Sequence, residues 1–282
     1  MVTTAHGRLQ HLRLQHRSLA ASTRHPDIYV VVAIDDPDLA HLSAQGTLQP
    51  LVLPIDTDPA GLPLAAARNR GIDAAFAAGC DTVIALDVDC LASADLVADY
   101  QRVVSRAPGT VWQGPVTYLP PPPEGGYPLA DLDHLHDPHP ARPRLRRGET
   151  RQGARPELFW SLSFALSRSA WARSGGFCEE YVGYGGEDTD FGQVVRAAGL
   201  DLGWTGDARA YHQHHPVSRP PVEHLDDILR NAKIYARRWG TWPMRGWLDE
   251  FERRGLIAWH ADEWIRCIPS TSAAGTRRGG VV

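Results

Sequence analysis

Thr82-Val83-Ile84-Ala85-Leu86-Asp87-Val88-Asp89 is the stretch of sequence that decides the fold. Its apolar run is typical of a buried strand in a parallel sheet. The run continues directly into two aspartates, and side chains two positions apart in a strand point to the same side. Asp87 and Asp89 can therefore share one ligand, and a divalent cation that prefers oxygen, Mn²⁺ or Mg²⁺, suits that position. The alternative is a solvated turn after the strand.

The segments before and after this stretch alternate between strand-like and helix-like patterns. Residues 29–34 and 49–55 are short apolar runs. Residues 63–78 are rich in alanine, with proline first and glycine directly after them, as in a helix; a further helix is predicted over residues 95–104. This alternation predicts an α/β fold with a Rossmann-like, mixed and mainly parallel sheet flanked by helices.

Carboxylates follow two of the predicted strands. Asp35 and Asp36 come directly after residues 29–34, as Asp87 and Asp89 come after residues 82–86. Ligands of such sheets bind at the carboxyl ends of the strands. We therefore expect several carboxylates to converge at one edge of the sheet.

A glycine-rich segment that ends in acidic residues occupies residues 175–191. It contains five glycines, and Tyr184-Gly185-Gly186 lead directly into Glu187 and Asp188. Apolar residues at positions 191, 194, 195 and 198 then predict a helix that stops at glycine 199. Acidic residues suit the first turn of any helix. The glycines and the tyrosine before them need another reason, and they indicate close approach of the backbone to a ligand.

Histidines form a third cluster. His212 and His214 alternate after the strand-like residues 208–211. Neutral imidazole is a common metal ligand, so one of the two is a candidate ligand, although the spacing favours neither. A histidine-rich surface turn is the alternative.

Composition limits the class of protein. A chain of 282 residues suits one large α/β domain, alone or with a small helical appendage. A net charge of −4 gives no basis for a nucleic-acid partner, and the four cysteines have no zinc-site spacing. We find no run with the length of a transmembrane helix and no signal peptide, so a cytoplasmic location is expected, with peripheral association at the inner membrane face as an option.

Residues 119–156 interrupt the alternation. They contain prolines, two adjacent glycines and, over residues 142–151, a basic stretch with Arg142, Arg144, Arg146, Arg147 and Arg151. A loop of this length is usually functional or disordered. One interpretation is a solvated loop; the other is a mobile lid whose arginines contact phosphate on a donor or an anionic acceptor.

Two segments resemble known enzymes. Residues 65–90 are similar to the donor half of family 2 glycosyltransferases of the GT-A fold. Residues 175–188 resemble the C-terminal catalytic region that β-1,4-galactosyltransferases share with polypeptide N-acetylgalactosaminyltransferases. The resemblance covers roughly residues 1–240. It implies metal-dependent transfer of a hexose or N-acetylhexosamine from a nucleotide-diphosphate sugar, with uridine diphosphate as the expected nucleotide.

The resemblance assigns roles in donor binding. Asp87 and Asp89 match the residues that bind Mn²⁺ or Mg²⁺ and the donor diphosphate. His212, with His214 as the alternative, matches a late metal ligand. Four further residues would serve the nucleotide: Asp36 (or Asp35) at the base, Arg68 in the nucleotide pocket, and His6 and Arg8 on a loop beneath it.

The resemblance also assigns the transfer step. Asp188 matches the general base of inverting members, and Glu187 would orient the acceptor beside Tyr184, Gly185 and Gly186. Tyr184 stands where the galactosyltransferases carry tryptophan, which leaves the acceptor open between a saccharide, a lipid-linked, a peptide and a small-molecule class. A retaining transferase, a nucleotidyltransferase and a non-catalytic binder are the alternatives.

The implied division of the chain has three parts. A GT-A domain spans residues 1–220, with a nucleotide-sugar half at 1–115, the long loop at 119–156 and an acceptor and catalytic half at 157–220. A helical extension follows at residues 221–270. Residues 271–282 are expected to be a disordered tail.

Overall fold

The structure, a computed structural model, describes residues 1–267. The tail expected at residues 271–282 lies outside them. The helices are α1 (Leu9–Ala20), α2 (Leu64–Ala77), α3 (Leu96–Arg106), α4 (Arg168–Ser174), α5 (Glu187–Ala197), α6 (Leu225–Trp239) and α7 (Arg245–Arg253). The strands are β1 (Val2–Ala5), β2 (Tyr29–Ile34), β3 (Pro50–Ile55), β4 (Thr82–Leu86), β5 (Cys90–Ala92), β6 (Thr110–Gln113), β7 (Val116–Tyr118), β8 (Thr150–Gln152), β9 (Ser163–Ser167), β10 (Asp201–Thr205), β11 (Ala210–His212), β12 (Ile257–His260) and β13 (Glu263–Arg266).

The ends of these elements follow local chemistry. Helix α2 begins directly after Pro63, whose fixed φ suits a first turn, and Gly79 follows it with a φ of 96°. Helix α5 is followed by Gly199 with a φ of 67°. Only glycine adopts such angles without strain, so both helices stop where the sequence predicts.

The main sheet has eight strands in the order β3-β2-β1-β4-β9-β6-β10-β8. Strands β3, β2, β1 and β4 are parallel neighbours, as are β6 and β10. Strand β9 runs antiparallel between β4 and β6, and β8 is antiparallel at the edge. The prediction of a mixed, mainly parallel sheet is confirmed.

Helices cover both faces of this sheet. Val31 of β2 belongs to one hydrophobic cluster, together with α1 and α3, whereas its neighbours Val30 and Val32 belong to a second cluster with α2, α4 and α5. Adjacent residues of a strand point to opposite faces, so the two clusters are the two layers of core. The fully buried Leu12 and Phe191 lie one in each layer.

A second, three-stranded sheet has the order β5-β11-β7. Strand β11 lies in its centre, antiparallel to β5 and parallel to β7. In this register His212 pairs with Cys90 on one side and with Tyr118 on the other. The histidine run is thereby held beside the residue that follows Asp89.

The rest of the chain packs around the two sheets. The long loop predicted over residues 119–156 contributes strand β8, which pairs with β10. The extension predicted as helical contains α6 and α7 and also a hairpin of β12 and β13, which we did not predict. Leu248, Phe251 and Trp264 belong to its own apolar cluster. Within residues 1–267, no helix combines the length and the apolarity needed to cross a membrane.

We expect Gly71→Ala to destabilise the fold. A Cβ at this position of α2 would lie 2.4 Å from Val2 Cγ1 and 2.9 Å from Val32 Cγ2. Overpacking of this kind costs about 1–3 kcal/mol, more than the roughly 1 kcal/mol that alanine contributes over glycine in a helix. Urea titration followed by circular dichroism measures the change. Gly246→Ala in α7, where no atom lies within 4 Å, is the control and should be as stable as the wild type or more so.

Candidate active site

The first part of the site is a cluster of three possible metal ligands: Asp89, His212 and His215. One ligand atom from each lies within 4.8 Å of the others. His212 Nε2 is 3.4 Å from Asp89 Oδ1, and His215 Nε2 is 3.3 Å from Asp89 Oδ2. One carboxylate with two imidazoles leaves coordination positions open, as a catalytic metal site requires. Asp89 Oδ1 is buried and accepts no hydrogen bond from the described residues, which fits an atom reserved for a cation.

The cluster differs from the predicted ligand set at two positions. His214 is exposed and lies outside the cluster, with its backbone N–H donated to the Tyr127 hydroxyl. Strand β11 ends at His212, so the alternation of side chains ends there, and the turn brings His215 to Asp89 instead. Asp87 also lies outside the cluster, because β4 ends at Leu86 and the two aspartates are on a turn.

The protonation states suit metal binding. Burial lowers the pKa of His212 more than Asp89 raises it, so the imidazole is neutral at pH 7. Burial alone would raise the pKa of Asp89, but contacts with His215, His212 and Arg8 outweigh it and the pKa is lowered. Tyr118 of β7 stacks on His212, with ring centroids 4.6 Å apart, and holds the imidazole in place.

The second part of the site is a buried arginine surrounded by acids. The Arg68 guanidinium in α2 lies 3.5 Å from Asp87, 3.1 Å from Glu187 and 3.7 Å from Asp188. Only 7% of its side chain is exposed. Burial alone would lower the pKa of Arg68. The three carboxylates together have the larger effect and raise it, so the side chain is charged at any working pH. Arg68 therefore joins the turn after β4 to the start of α5.

Negative charge exceeds positive charge around Arg68. Burial raises the pKa of Asp87 to about 7 against the opposing effect of Arg68. Burial and the neighbouring Asp188 raise the pKa of Glu187 to about 7, again opposed by Arg68. One guanidinium thus does not offset three carboxylates, and Asp87 and Glu187 take up a proton more readily than free carboxyl groups do.

Asp188 is held on one side by the backbone and is partly exposed on the other, as exposed as Asp87. Its Oδ2 accepts the backbone N–H of Ser161 at 3.0 Å, and 26% of its side chain is exposed. Its Oδ1 is buried and has no hydrogen-bond partner among the described residues. A carboxylate held by a backbone amide, with part of its surface open, has the arrangement of a general base.

The glycine-rich segment before α5 is held by α6. Asn231, which is fully buried, donates through Nδ2 to the carbonyl oxygens of Val182 (3.1 Å), Tyr184 (3.3 Å) and Gly185 (2.7 Å). Asp227 accepts the N–H of Tyr184 at 3.1 Å. The predicted extension is therefore part of the support for the segment that leads into Glu187 and Asp188.

Tyr184 and Asp190 have different environments. The Tyr184 side chain is 38% exposed and stacks on His224, with ring centroids 4.4 Å apart. Burial, followed by the charges of Glu187 and Asp188, raises the pKa of Tyr184 to about 12. Asp190 is fully buried and accepts bonds from Tyr181, Arg238 and Trp239, so it has a structural role.

The N-terminal candidates lie at the carboxyl ends of β1 and β2. Gly7 N donates to Asp36 Oδ2 at 2.9 Å, and His6 Nδ1 lies 2.8 Å from Ile34 O. Arg8 Nη1 is 3.4 Å from Asp89 Oδ2. The loop of residues 6–8 therefore connects Asp36 with the metal-ligand cluster. The carboxylate of Asp35 is 3.4 Å from the Thr57 hydroxyl and takes no part in that connection.

The arginines of the long loop divide into two groups. Three exposed ones pair with acids: Arg144 with Asp137, Arg146 with Glu149 and Arg147 with Asp133. Arg151 is exposed as well and forms no ion pair with the described residues. Arg142 is buried and stacks between the indoles of Trp160 and Trp204. Both interpretations of the long loop, a solvated loop and a mobile lid, therefore fail for Arg142, whose side chain is buried.

Sequence analysis missed several residues that the fold brings to the site. His215 belongs to the histidine run that we identified, and its neighbourhood in sequence is the signal that could have found it. Asn231 and Tyr118 carry no such signal, because their roles depend on contacts between distant parts of the chain.

Comparison with known proteins connects this geometry to sugar-transferring enzymes. Residues 154–226 match the family model described as the N-terminal domain of galactosyltransferase. Validoxylamine A glucosyltransferase of Streptomyces hygroscopicus subsp. jinggangensis (strain 5008) is 28% identical over 80 residues. That match spans 28% of this chain and only 18% of the relative's length.

Solved structures share the fold. TarS 1-349 of S. aureus in complex with UDP-GlcNAc superposes with a TM-score of 0.58 at 13% identity, over 90% of this chain and 77% of that one. GalNAc-T7 with UDP, GalNAc and Mn²⁺ gives a TM-score of 0.52 at 19% identity, over 76% and 43% of the two chains. The fold is the GT-A fold of glycosyltransferases, and the resemblance stated from the sequence is confirmed.

We expect Glu187→Gln to reduce the loss of stability at alkaline pH. A carboxyl whose pKa is raised from 4.5 to about 7 in the folded state stabilises the fold below its unfolded pKa and loses this contribution as the pH rises through about 7. The free energy of unfolding of the wild type should therefore fall between pH 5.5 and 8.5, and that of Glu187→Gln should fall less, by on the order of 2 kcal/mol. Denaturant titration in EDTA measures both. The exposed Glu124→Gln is the control, and an unchanged pH dependence in Glu187→Gln would contradict the charge balance described above.

Proposed function

We propose that this chain is a metal-dependent glycosyltransferase that moves a hexose or N-acetylhexosamine from a nucleotide-diphosphate sugar to an acceptor hydroxyl. The observation that carries the proposal is that Arg68 links Asp87, two residues before the metal-ligand cluster, to Glu187 and Asp188. A candidate site for a leaving group and a candidate base are thus connected through one buried side chain. A nucleotidyltransferase would need the metal but gives Asp188 no task.

The metal is assigned to Asp89, His212 and His215. Mixed oxygen and nitrogen ligands suit Mn²⁺ better than Mg²⁺, which favours oxygen ligands alone. When bound, the ion supplies positive charge against the diphosphate that leaves. Asp87 would then act by pairing with Arg68 and not as a metal ligand. Arg8, which lies 3.4 Å from Asp89, would approach the same diphosphate.

The donor is assigned to the N-terminal half, residues 1–115. Asp36 would accept a hydrogen bond from the base, and the loop with His6 and Arg8 would follow the diphosphate towards the metal. The UDP-GlcNAc bound to TarS and the UDP bound to GalNAc-T7 support uridine as the base. Arg68 neutralises part of the charge of the three acids and so reduces their repulsion of the diphosphate.

The transfer step is assigned to the C-terminal half, residues 157–220. Asp188 takes the proton of the acceptor hydroxyl while that oxygen attacks the anomeric carbon. The bond from that carbon to the diphosphate oxygen breaks, its electron pair stays with the diphosphate, and the sugar is transferred with inversion. Glu187 fixes Arg68, and Tyr184 with Gly185 and Gly186 borders the acceptor.

A thermal-shift screen of nucleotide sugars with Mn²⁺ tests the donor and the metal together. A donor at about 100 times its Kd should stabilise the fold by about 2.7 kcal/mol, which raises the Tm by several degrees, and only with metal present. His215→Ala should lose this metal-dependent shift, whereas the adjacent His214→Ala should retain it. The absence of a shift with every donor, or an equal loss in both histidine variants, would count against the proposal.

Asp188→Asn tests the base. Asparagine keeps the size of the side chain but cannot take a proton, so kcat should fall by about 10²–10⁴-fold. Donor affinity, measured by calorimetry with Mn²⁺, should stay within about twofold, because the metal-ligand cluster is untouched. Turnover comparable to the wild type would remove Asp188 from the reaction.

A further inference from the structure

Arg142 is a buried cation that no carboxylate contacts among the described residues. It is 6% exposed, and its guanidinium carbon lies 4.0 Å from the Trp160 ring centroid and 4.4 Å from that of Trp204. Burial lowers the pKa of Arg142 to about 9, so the side chain remains charged at neutral pH. A buried guanidinium without an acid is costly, and two flanking indoles offset that cost through cation–π contacts.

The edge of the same guanidinium holds the segment before β9. Nη1 donates to the Leu158 carbonyl oxygen and, at 3.3 Å, to Gln113 Oε1. Gln113 Oε1 also accepts the backbone N–H of Trp160 at 3.3 Å. Arg142 thus contacts the segment of residues 158–160 through a carbonyl, a shared amide acceptor and a stacked ring.

Ser161 directly follows this segment, and its N–H donates to Asp188 Oδ2. The remaining backbone restraint on residues 158–160 is a turn, in which Leu158 N and Phe159 N donate to Arg155 and Pro156. Phe159 is also buried against Phe164 and Phe191, and Leu162 O accepts the N–H of Asp87. Arg142 therefore adds the contacts at Leu158 and Trp160 to those that set the position of the Ser161 amide.

An aromatic wall connects this segment with the metal-ligand cluster. Trp160 packs edge-on against His139 at 5.2 Å, His139 lies 5.6 Å from Tyr118, and Tyr118 stacks on His212. His139 and Arg142 both come from the long loop. Through His139 and Arg142, the long loop thus contacts both Tyr118, which stacks on His212, and Trp160, which precedes Ser161.

We propose that Arg142 is a positioning residue for sugar transfer: clamped between Trp160 and Trp204, it fixes residues 158–161 and thereby the Ser161 amide that orients Asp188. The inference rests on the proposed function. It assigns to the long loop a task that involves neither phosphate nor acceptor.

The test measures kcat, acceptor KM and donor Kd for Arg142→Gln and Arg142→Lys with Mn²⁺ and the donor found in the screen. Misplacement of a catalytic group by a fraction of an ångström lowers kcat, so we expect a fall of about 10- to 100-fold. Donor Kd should change less than twofold. Lysine keeps the charge but not the planar group that fills the space between the indoles, so Arg142→Lys should not restore kcat. A role in stability alone would leave kcat of the folded fraction unchanged.

Arg144→Gln and Arg146→Gln are matched controls. Their side chains are 70% and 88% exposed in the same loop, and both variants should keep wild-type kcat. A double-mutant cycle with Trp160→Leu adds a second criterion: because both residues act through one segment, the double variant should be no slower than the slower single one.

The outcomes separate the two proposals. A wild type that transfers no sugar overturns the proposed function and this inference with it. An active wild type together with unchanged kcat in Arg142→Lys, or with equal losses of kcat and donor affinity, or with additive effects in the cycle, overturns the inference alone. Where Arg142→Gln does not fold, Arg142→Lys decides, and failure of both to fold assigns Arg142 to stability alone.

Discussion

The ion pairs of Arg68 are the interaction on which the site depends. Its guanidinium is almost fully buried between Asp87, Glu187 and Asp188, which belong to segments about 100 residues apart in the chain. Removal of one partner from a buried charge cluster is costly, because the remaining charges lose both water and counter-charge. Without Arg68 the charges of the three carboxylates would have no buried counter-charge between the turn after β4 and the start of α5. Arg68 is thus the one side chain among the described residues that forms ion pairs with Asp87, Glu187 and Asp188 together.

Much of the fold follows from local sequence patterns. The strand over residues 82–86, the helix opened by Pro63 and the helix that stops before Gly199 each depend on neighbouring residues, so apolar periodicity and glycine or proline position were sufficient to predict them. The hairpin of β12 and β13 was not predicted, because its strands are short and stabilised by packing against the extension itself.

The candidate site was predictable only in part, because local patterns predict single residues but not the contacts between distant ones. Asp188 follows from its motif, and Asp89 follows from the end of a strand. The choice of His215 over His214 depends on where β11 ends and how the chain then turns. The position of Arg142 between two indoles joins residues 142, 160 and 204, and no spacing in the sequence encodes that. Asn231 likewise acts on carbonyl oxygens more than 40 residues away.

The central position of β11 in the small sheet has a consequence for folding kinetics. Its neighbours β5 and β7 come from residues 90–92 and 116–118, whereas β11 itself spans residues 210–212. Contacts between residues this far apart in sequence close large loops and form slowly compared with helices and hairpins. During synthesis Asp89 leaves the ribosome about 120 residues before His212. The nascent chain can therefore fold its first strands and helices before either histidine of the metal-ligand cluster has been synthesised. The cluster of Asp89, His212 and His215 can therefore form only after every strand of the main sheet has been synthesised.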